Sequence, residues 1–109
     1  MNFEVRATLF FVKRAKHLSK KYHSFKKDLS ELIDSLTINP NQGIPLGKDC
    51  YKIRMGITSK SKGKSGGARV ITNVKIVDNV VFLMDIYDKS EIENITDKHL
   101  QGLIDKLPE

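Results

Sequence analysis

Between Phe11 and Leu36 the apolar residues Phe11, Ala15, Leu18, Tyr22, Phe25, Leu29, Leu32 and Leu36 recur at alternate spacings of four and three, with lysines filling much of the rest. That period is the signature of helix with one buried stripe. Drawn as a single helix, the segment would run about 39 Å at 1.5 Å per residue. Such a rod is awkward for a domain of 109 residues. The stripe therefore favours two helices folded back as a hairpin. Lys20-Lys21-Tyr22-His23-Ser24 is the natural break, with Ser24 available as an N-cap. A coiled coil fits the spacing too, but few heptads are present. Pro40 stops the helical run by restricting the residue before it.

The flanking segments read as strands. Phe3 to Leu9 carries Phe, Val, Thr and Leu and predicts a short first strand. Asn39 to Asp49, with Gly43, Pro45 and Gly47, reads as a loop. In Tyr51 to Ile57, Tyr51, Ile53, Met55 and Ile57 share one face, and Lys52 and Arg54 share the other, roughly 7 Å apart. A Ser-, Gly- and Lys-rich loop, Thr58 to Gly67, leads to a strand over Ala68 to Val77. Asp78-Asn79 then reads as a two-residue hairpin turn. The mostly apolar Val80 to Tyr87 predicts a central strand. Asp88-x-x-Glu91 resembles a capping box, and Thr96 offers a second cap. Ile92, Ile95, Leu100, Leu103, Ile104 and Leu107 supply an apolar helical face that Pro108 ends. The order β, α, α, β, β, β, α predicts an α+β fold in a single domain, residues 1–109, with helices packed on one face of one sheet.

Charge narrows the partners. From Lys48 to Arg69 seven bases (Lys48, Lys52, Arg54, Lys60, Lys62, Lys64 and Arg69) face one acid, a net of +6. From Asp78 to Glu109 eight acids outweigh three bases, a net of −5. A basic side of this kind is the electrostatic footprint for a polyanion, usually nucleic acid. No apolar run approaches the roughly 20 residues that span a bilayer, and Leu9 to Val12 is too short for a signal segment, so a cytoplasmic protein without membrane contact is expected. The lone Cys50 makes no internal disulfide and reads as a small, partly buried strand residue. His17, His23 and His99 are scattered without metal-ligand spacing, so no metal is expected. Gly63 to Gly67 lacks the phosphate-loop spacing, and no cofactor is implied.

A lysine-rich helical hairpin, a Leu46-Gly47 turn, Cys50-Tyr51-Lys52-Ile53-Arg54, then Gly66-Gly67-Ala68-Arg69-Val70-Ile71, a hydrophobic hairpin and a last helix follow in order. This arrangement resembles the RelE/ParE superfamily of toxins from type II toxin–antitoxin systems, in particular its RelE and HigB-like branches. The resemblance covers nearly the whole chain, and its specific parts are YKIR and GGARVI. It implies a small twisted antiparallel sheet of about four strands with an N-terminal helical hairpin and a C-terminal helix. It also implies a ribosome-dependent, metal-independent endoribonuclease that cuts mRNA and is silenced by a cognate antitoxin. By the family pattern, Lys52 is a candidate general base or phosphate ligand, and Arg54 and Arg69 are candidate transition-state clamps. The family's cation after the last strand falls near Lys89. Its aromatic residue beyond that strand has no match, since Ile95 stands there, and Tyr87 is the nearest substitute.

The chemistry suits these residue types. RNA carries its own nucleophile, the 2′-hydroxyl, so cleavage needs that proton removed, charge on the phosphorane stabilised and a proton given to the 5′-oxygen. Fixed cations serve the middle role, and Arg holds two phosphate oxygens in one planar fork. A lysine packed among like charges has its ammonium disfavoured and can act as a base. Lys48, Lys60, Lys62 and Lys64 read as diffuse RNA contacts. Plainer roles compete at each position: Lys52 and Arg54 as solvated charges, Arg69 as the partner of Asp85 or Asp88, and Tyr87 as core or stacking surface. At the level of function, a ParE-like inhibitor of DNA gyrase and a non-catalytic RNA-binding protein are the alternatives.

Overall fold

The computed structural model describes residues 2–60, 66–92 and 94–108. Its elements are β1 (Glu4–Ala7), α1 (Leu9–Lys21), α2 (Phe25–Ile38), β2 (Ile44–Gly47), β3 (Cys50–Met55), β4 (Ala68–Lys75), β5 (Val80–Asp88) and α3 (Asp97–Asp105). A 3-10 turn, Thr58–Lys60, follows β3. The strands form one sheet in the order β1-β5-β4-β3-β2. Among the described residues no helix is long and apolar enough to cross a membrane.

The α+β class holds, with three corrections. The sheet has five strands, because Ile44–Gly47 pairs with β3 where a loop was expected. Pro45 and Gly47 disguise it, yet an edge strand tolerates a residue without an N–H. The sheet is mixed, since β1 runs parallel to β5, pairing Glu4 with Val80 and Ala7 with Leu83. The helices cover both faces. Phe11, Leu18, Phe25 and Leu36 from the hairpin bury Ile53, Met55, Val70, Leu83 and Ile86 on one face. Leu100 and Leu103 of α3 cover Ile71, Phe82, Met84 and Tyr87 on the other.

The helical break falls where the stripe predicts it. Thr8 caps α1 by accepting from the Phe11 N–H at 3.2 Å. Ser24 occupies the N-cap position of α2, but its side chain makes no cap bond and donates instead to Asp28 Oδ2 at 2.9 Å. Asp28 also accepts from the backbone N–H and hydroxyl of Thr58, at 2.9 and 2.7 Å. Burial pushes the Asp28 carboxyl up, but these hydrogen bonds outweigh it and hold it below its ordinary value. They fasten the start of α2 to the turn after β3.

Two further details position the site. β5 carries an extra residue, because Ile71 pairs with Asp85 while Thr72 pairs with Leu83. This bulge at Met84 shifts the alternation by one and turns Asp85 and Tyr87 onto the face covered by α3. At Gly67 a Cβ would overlap the carbonyl oxygen of Met55, so only glycine lets the two strands close here. The β4–β5 turn takes four residues, Ile76 to Asn79, where two were expected, with Asn79 at φ 54°.

Asp88 does not open a helix; α3 starts at Thr96, which accepts from the His99 N–H at 3.1 Å. Asp88 is instead fully buried and accepts from Tyr22 Oη (2.6 Å), Lys60 Nζ (2.8 Å) and both the N–H and hydroxyl of Ser90 (3.0 and 2.8 Å). Burial alone would raise its pKa, but the bonds from Lys60, Tyr22 and Ser90 draw it far below the usual carboxylate range. A carboxyl depressed in the folded state contributes stability above its unfolded value of 3.8, and loses it as pH falls through the folded value. Breaking one side of such a buried pair costs about 3 kcal/mol. Asp88→Asn should therefore lower the urea-unfolding free energy by about that much at pH 7. Its deficit against wild type should shrink as pH drops below about 4.

Candidate nucleic-acid interface

Strand pairing decides whether the expected cations meet. In the β3–β4 register Arg54 lies directly opposite Arg69, and Lys52 opposite Ile71. Arg69 in turn lies opposite Tyr87 of β5. Directly opposed residues have Cβ atoms about 5 Å apart and share a face, and diagonal ones such as Lys52 and Arg69 are about 7–8 Å apart. Ile53 and Met55 enter the core under the hairpin, so Lys52 and Arg54 project from the opposite side. Three basic side chains separated by up to 17 positions in sequence thus share one patch of one face.

Their environments differ. Arg54 is exposed, Lys52 half-buried and Arg69 only 5% exposed. Arg69 Nη1 donates to the carbonyl of Ala68 at 3.2 Å. Burial, and then the charge of Arg54, lower the Arg69 pKa; guanidinium nonetheless stays protonated. A desolvated cation beside a second cation raises the local positive potential, which an anion laid across the pair relieves. Asp85 and Asp88, the carboxylates read as possible partners of Arg69, are held by other groups. Arg14 Nε and His99 Nε2 lie 3.2 and 3.0 Å from the Asp85 oxygens, and Lys60 holds Asp88.

Tyr87 completes the row but not at the surface. It is 3% exposed, and its hydroxyl is buried with no hydrogen-bond partner among the described residues. Burial, aided by Asp85, raises its pKa, so the phenol keeps its proton more firmly than usual. Lys89, just beyond β5, is half-buried and its N–H donates to the Gly67 carbonyl at 3.0 Å.

The diffuse basic contacts separate. Lys60 is committed to the fold: its ammonium pairs with Asp88 and lies 5.5 Å from the Tyr22 ring centre. Lys48 is exposed at the opposite end of β3, in the β2–β3 turn, and hydrogen-bonds Gln101 of α3. Lys62 and Lys64 lie outside the described residues. Cys50 is buried, and burial pushes its thiol up, away from nucleophilic use. No cluster of metal-ligating side chains forms among the described residues. The Arg14–Asp85–His99 cluster had no sequence signal, because its members come from three elements that meet only through the bulge in β5.

The family model for the RelE toxin of the RelE/RelB toxin–antitoxin system matches residues 9–106. The chain belongs to the RelE family. A double arginine-to-alanine mutant of the E. coli toxin RelE, in its free state, shares the fold of this RelE family member. Its TM-score is 0.65 at 15% identity over 99% of this chain and 100% of that one. The toxin–antitoxin complex RelBE2 from Mycobacterium tuberculosis gives 0.60 at 11% identity, over 81% of this chain and 99% of that one. The intact E. coli RelBE toxin–antitoxin complex gives 0.50 at 25% identity, over 79% and 95%. A search of curated proteins finds no match.

The differing roles of the cations are measurable by salt titration. With a single-stranded RNA made uncleavable by 2′-deoxy substitution, Arg54→Ala should reduce the slope of log K against log salt by roughly 0.7, the share of one phosphate contact. Lys60→Ala should leave that slope unchanged while destabilising the fold.

Proposed function

We propose that this chain is the toxin of a type II toxin–antitoxin pair and acts as a metal-independent endoribonuclease on mRNA at the ribosome. The observation that carries this reading is the direct pairing of Arg54 with Arg69, with Lys52 next along the same face. Membership of the RelE family supports it. In this reading the two guanidinium groups grip the non-bridging oxygens of the scissile phosphate and stabilise the phosphorane. We assign Lys52 the proton of the 2′-hydroxyl, or a share of the phosphate charge if it stays protonated. Attack by the 2′-oxygen on phosphorus breaks the bond to the 5′-oxygen, which takes its proton from a water, and leaves a 2′,3′-cyclic phosphate. Lys89 is the remaining cation of the set. Tyr87, with its hydroxyl buried, serves to wall Arg69 and is not assigned the leaving-group proton. Lys48 extends the basic surface along β3. The expected partners are the ribosome, mRNA and a cognate antitoxin that silences the chain.

The test is expression of the chain without an antitoxin, together with cleavage of ribosome-bound mRNA by the purified protein. Growth should stop, and transcripts should be cut within codons. Arg69→Ala should lose at least roughly a hundredfold in cleavage rate, the usual scale for removing one electrostatic stabiliser. Growth arrest with intact transcripts would contradict the nuclease reading, and accompanying DNA damage signalling would favour gyrase as the target.

A further inference from the structure

Tyr87 lies one strand beyond Arg69, and it also lines a recess of about 300 Å³ between α1 and the end of β5. Phe10 of α1 and Ile92 beyond β5, both half-buried, give the recess apolar walls, and the exposed Lys13 and His17 stand on its α1 side. Two polar groups of the lining have nothing to bond. Arg14 is fixed through its Nε, 3.2 Å from Asp85 Oδ1 and 3.3 Å from the carbonyl oxygen of Ile86. Its Nη2 is buried with no hydrogen-bond partner among the described residues. The Tyr87 hydroxyl is in the same state, on a side chain 3% exposed. Arg14 lies close enough for its charge to act on the Tyr87 phenol, so the two groups are neighbours. A buried donor left unpaired forfeits its hydration without return, and a ligand that brings acceptors restores the loss.

The lining says what kind of ligand fits. The recess is about ten times the ~30 Å³ share of one water molecule. A free phosphate or carboxylate would leave the walls of Phe10 and Ile92 unused. A nucleobase uses both parts, with its apolar faces against the walls and its polar edge towards Arg14 and Tyr87. Lys13 then lies on the side where the same nucleotide carries its phosphate. Of the two acids in the lining, Asp88 is committed to Lys60 and Tyr22, and Glu91 is exposed on the rim. A guanidinium can only donate. Arg14 therefore suits the exocyclic oxygen of guanine or uracil and opposes the amino group that adenine and cytosine carry at that position. The Tyr87 hydroxyl can turn to accept the ring N–H beside that oxygen. We propose that this recess takes the base of an RNA nucleotide flanking the cut, and that Arg14 and Tyr87 select guanine and uracil over adenine and cytosine. That the nucleotide belongs to the cleaved RNA rests on the nuclease reading; the selectivity of the recess does not.

NMR titration of the full ¹⁵N-labelled chain with GMP, UMP, AMP and CMP tests this. GMP and UMP should shift the signals of Arg14 and Tyr87 and bind about tenfold tighter than AMP and CMP, the scale of one good base-edge contact. Tyr87→Phe removes only a hydroxyl that has no partner, so it should keep the wild-type melting temperature while narrowing that preference. Lys13→Ala, altered at an exposed position, should weaken all four nucleotides alike. Lys52→Ala and Arg54→Ala together should leave GMP binding intact, so failure of the nuclease reading and failure of the recess are told apart. On ribosome-bound mRNA, cuts flanked by guanine or uracil should predominate, and Tyr87→Phe should flatten that pattern by raising KM more than it lowers kcat. Equal affinity for the four nucleotides, or shifts confined to Lys13 and His17, overturns the proposal. GMP binding that Tyr87→Phe leaves untouched overturns it as well, and selective GMP binding without any flanking-base preference in the cuts overturns the assignment to the RNA substrate.

Discussion

The buried carboxylate of Asp88 gathers three stretches of chain that lie far apart in sequence. Tyr22 brings the end of α1, Lys60 brings the turn after β3, and Ser90 brings the segment beyond β5. Asp28 repeats the device one turn away by fastening Thr58 to the start of α2. Both carboxylates are buried, and each is held ionised by several donors, which is the condition under which a buried charge is tolerated. The result is a rigid frame around the ends of β3, β4 and β5. Arg54 and Arg69 sit within this frame, where small errors of register would send their side chains to opposite faces.

The sheet thereby divides the labour between its faces. The hairpin side is apolar and ends in a trough rimmed with lysines. The other side is covered by α3 over Ile71, Phe82 and Met84, and carries Lys52, Arg54 and Arg69 beyond that cover. Charge is segregated along the sequence, basic through the middle and acidic towards the end. Two acids of the last third serve the fold: Asp85 and Asp88 are buried in ion pairs with Arg14 and Lys60.

Much of this was legible in the residues where one face differs chemically from the other. The stripe from Phe11 to Leu36 marked both helices and their break, and the alternation of Ile53 and Met55 with Lys52 and Arg54 marked both faces of β3. Legibility ends where a strand is buried on both sides or held by distant partners. Every residue of β5 is buried, so its composition carries no alternation and its bulge leaves no trace. The Asp88-x-x-Glu91 pattern is a local signal, and tertiary donors claimed the aspartate first. β2 was missed because four residues containing Pro45 and Gly47 look like a loop unless the neighbouring edge is known. The opposition of Arg54 and Arg69 could not be read at all, because the register across a long connection is set by the packing of both strands.

The central claim is that Arg54 and Arg69 act on a single phosphate. A double-mutant cycle in the cleavage rate of ribosome-bound mRNA tests it most directly, with Arg54→Ala, Arg69→Ala and the two combined. Groups that work as one unit are strongly non-additive, so the combined variant should be little slower than the slower single variant. Losses that simply multiply would mean that the two arginines act at separate places, and would contradict the account.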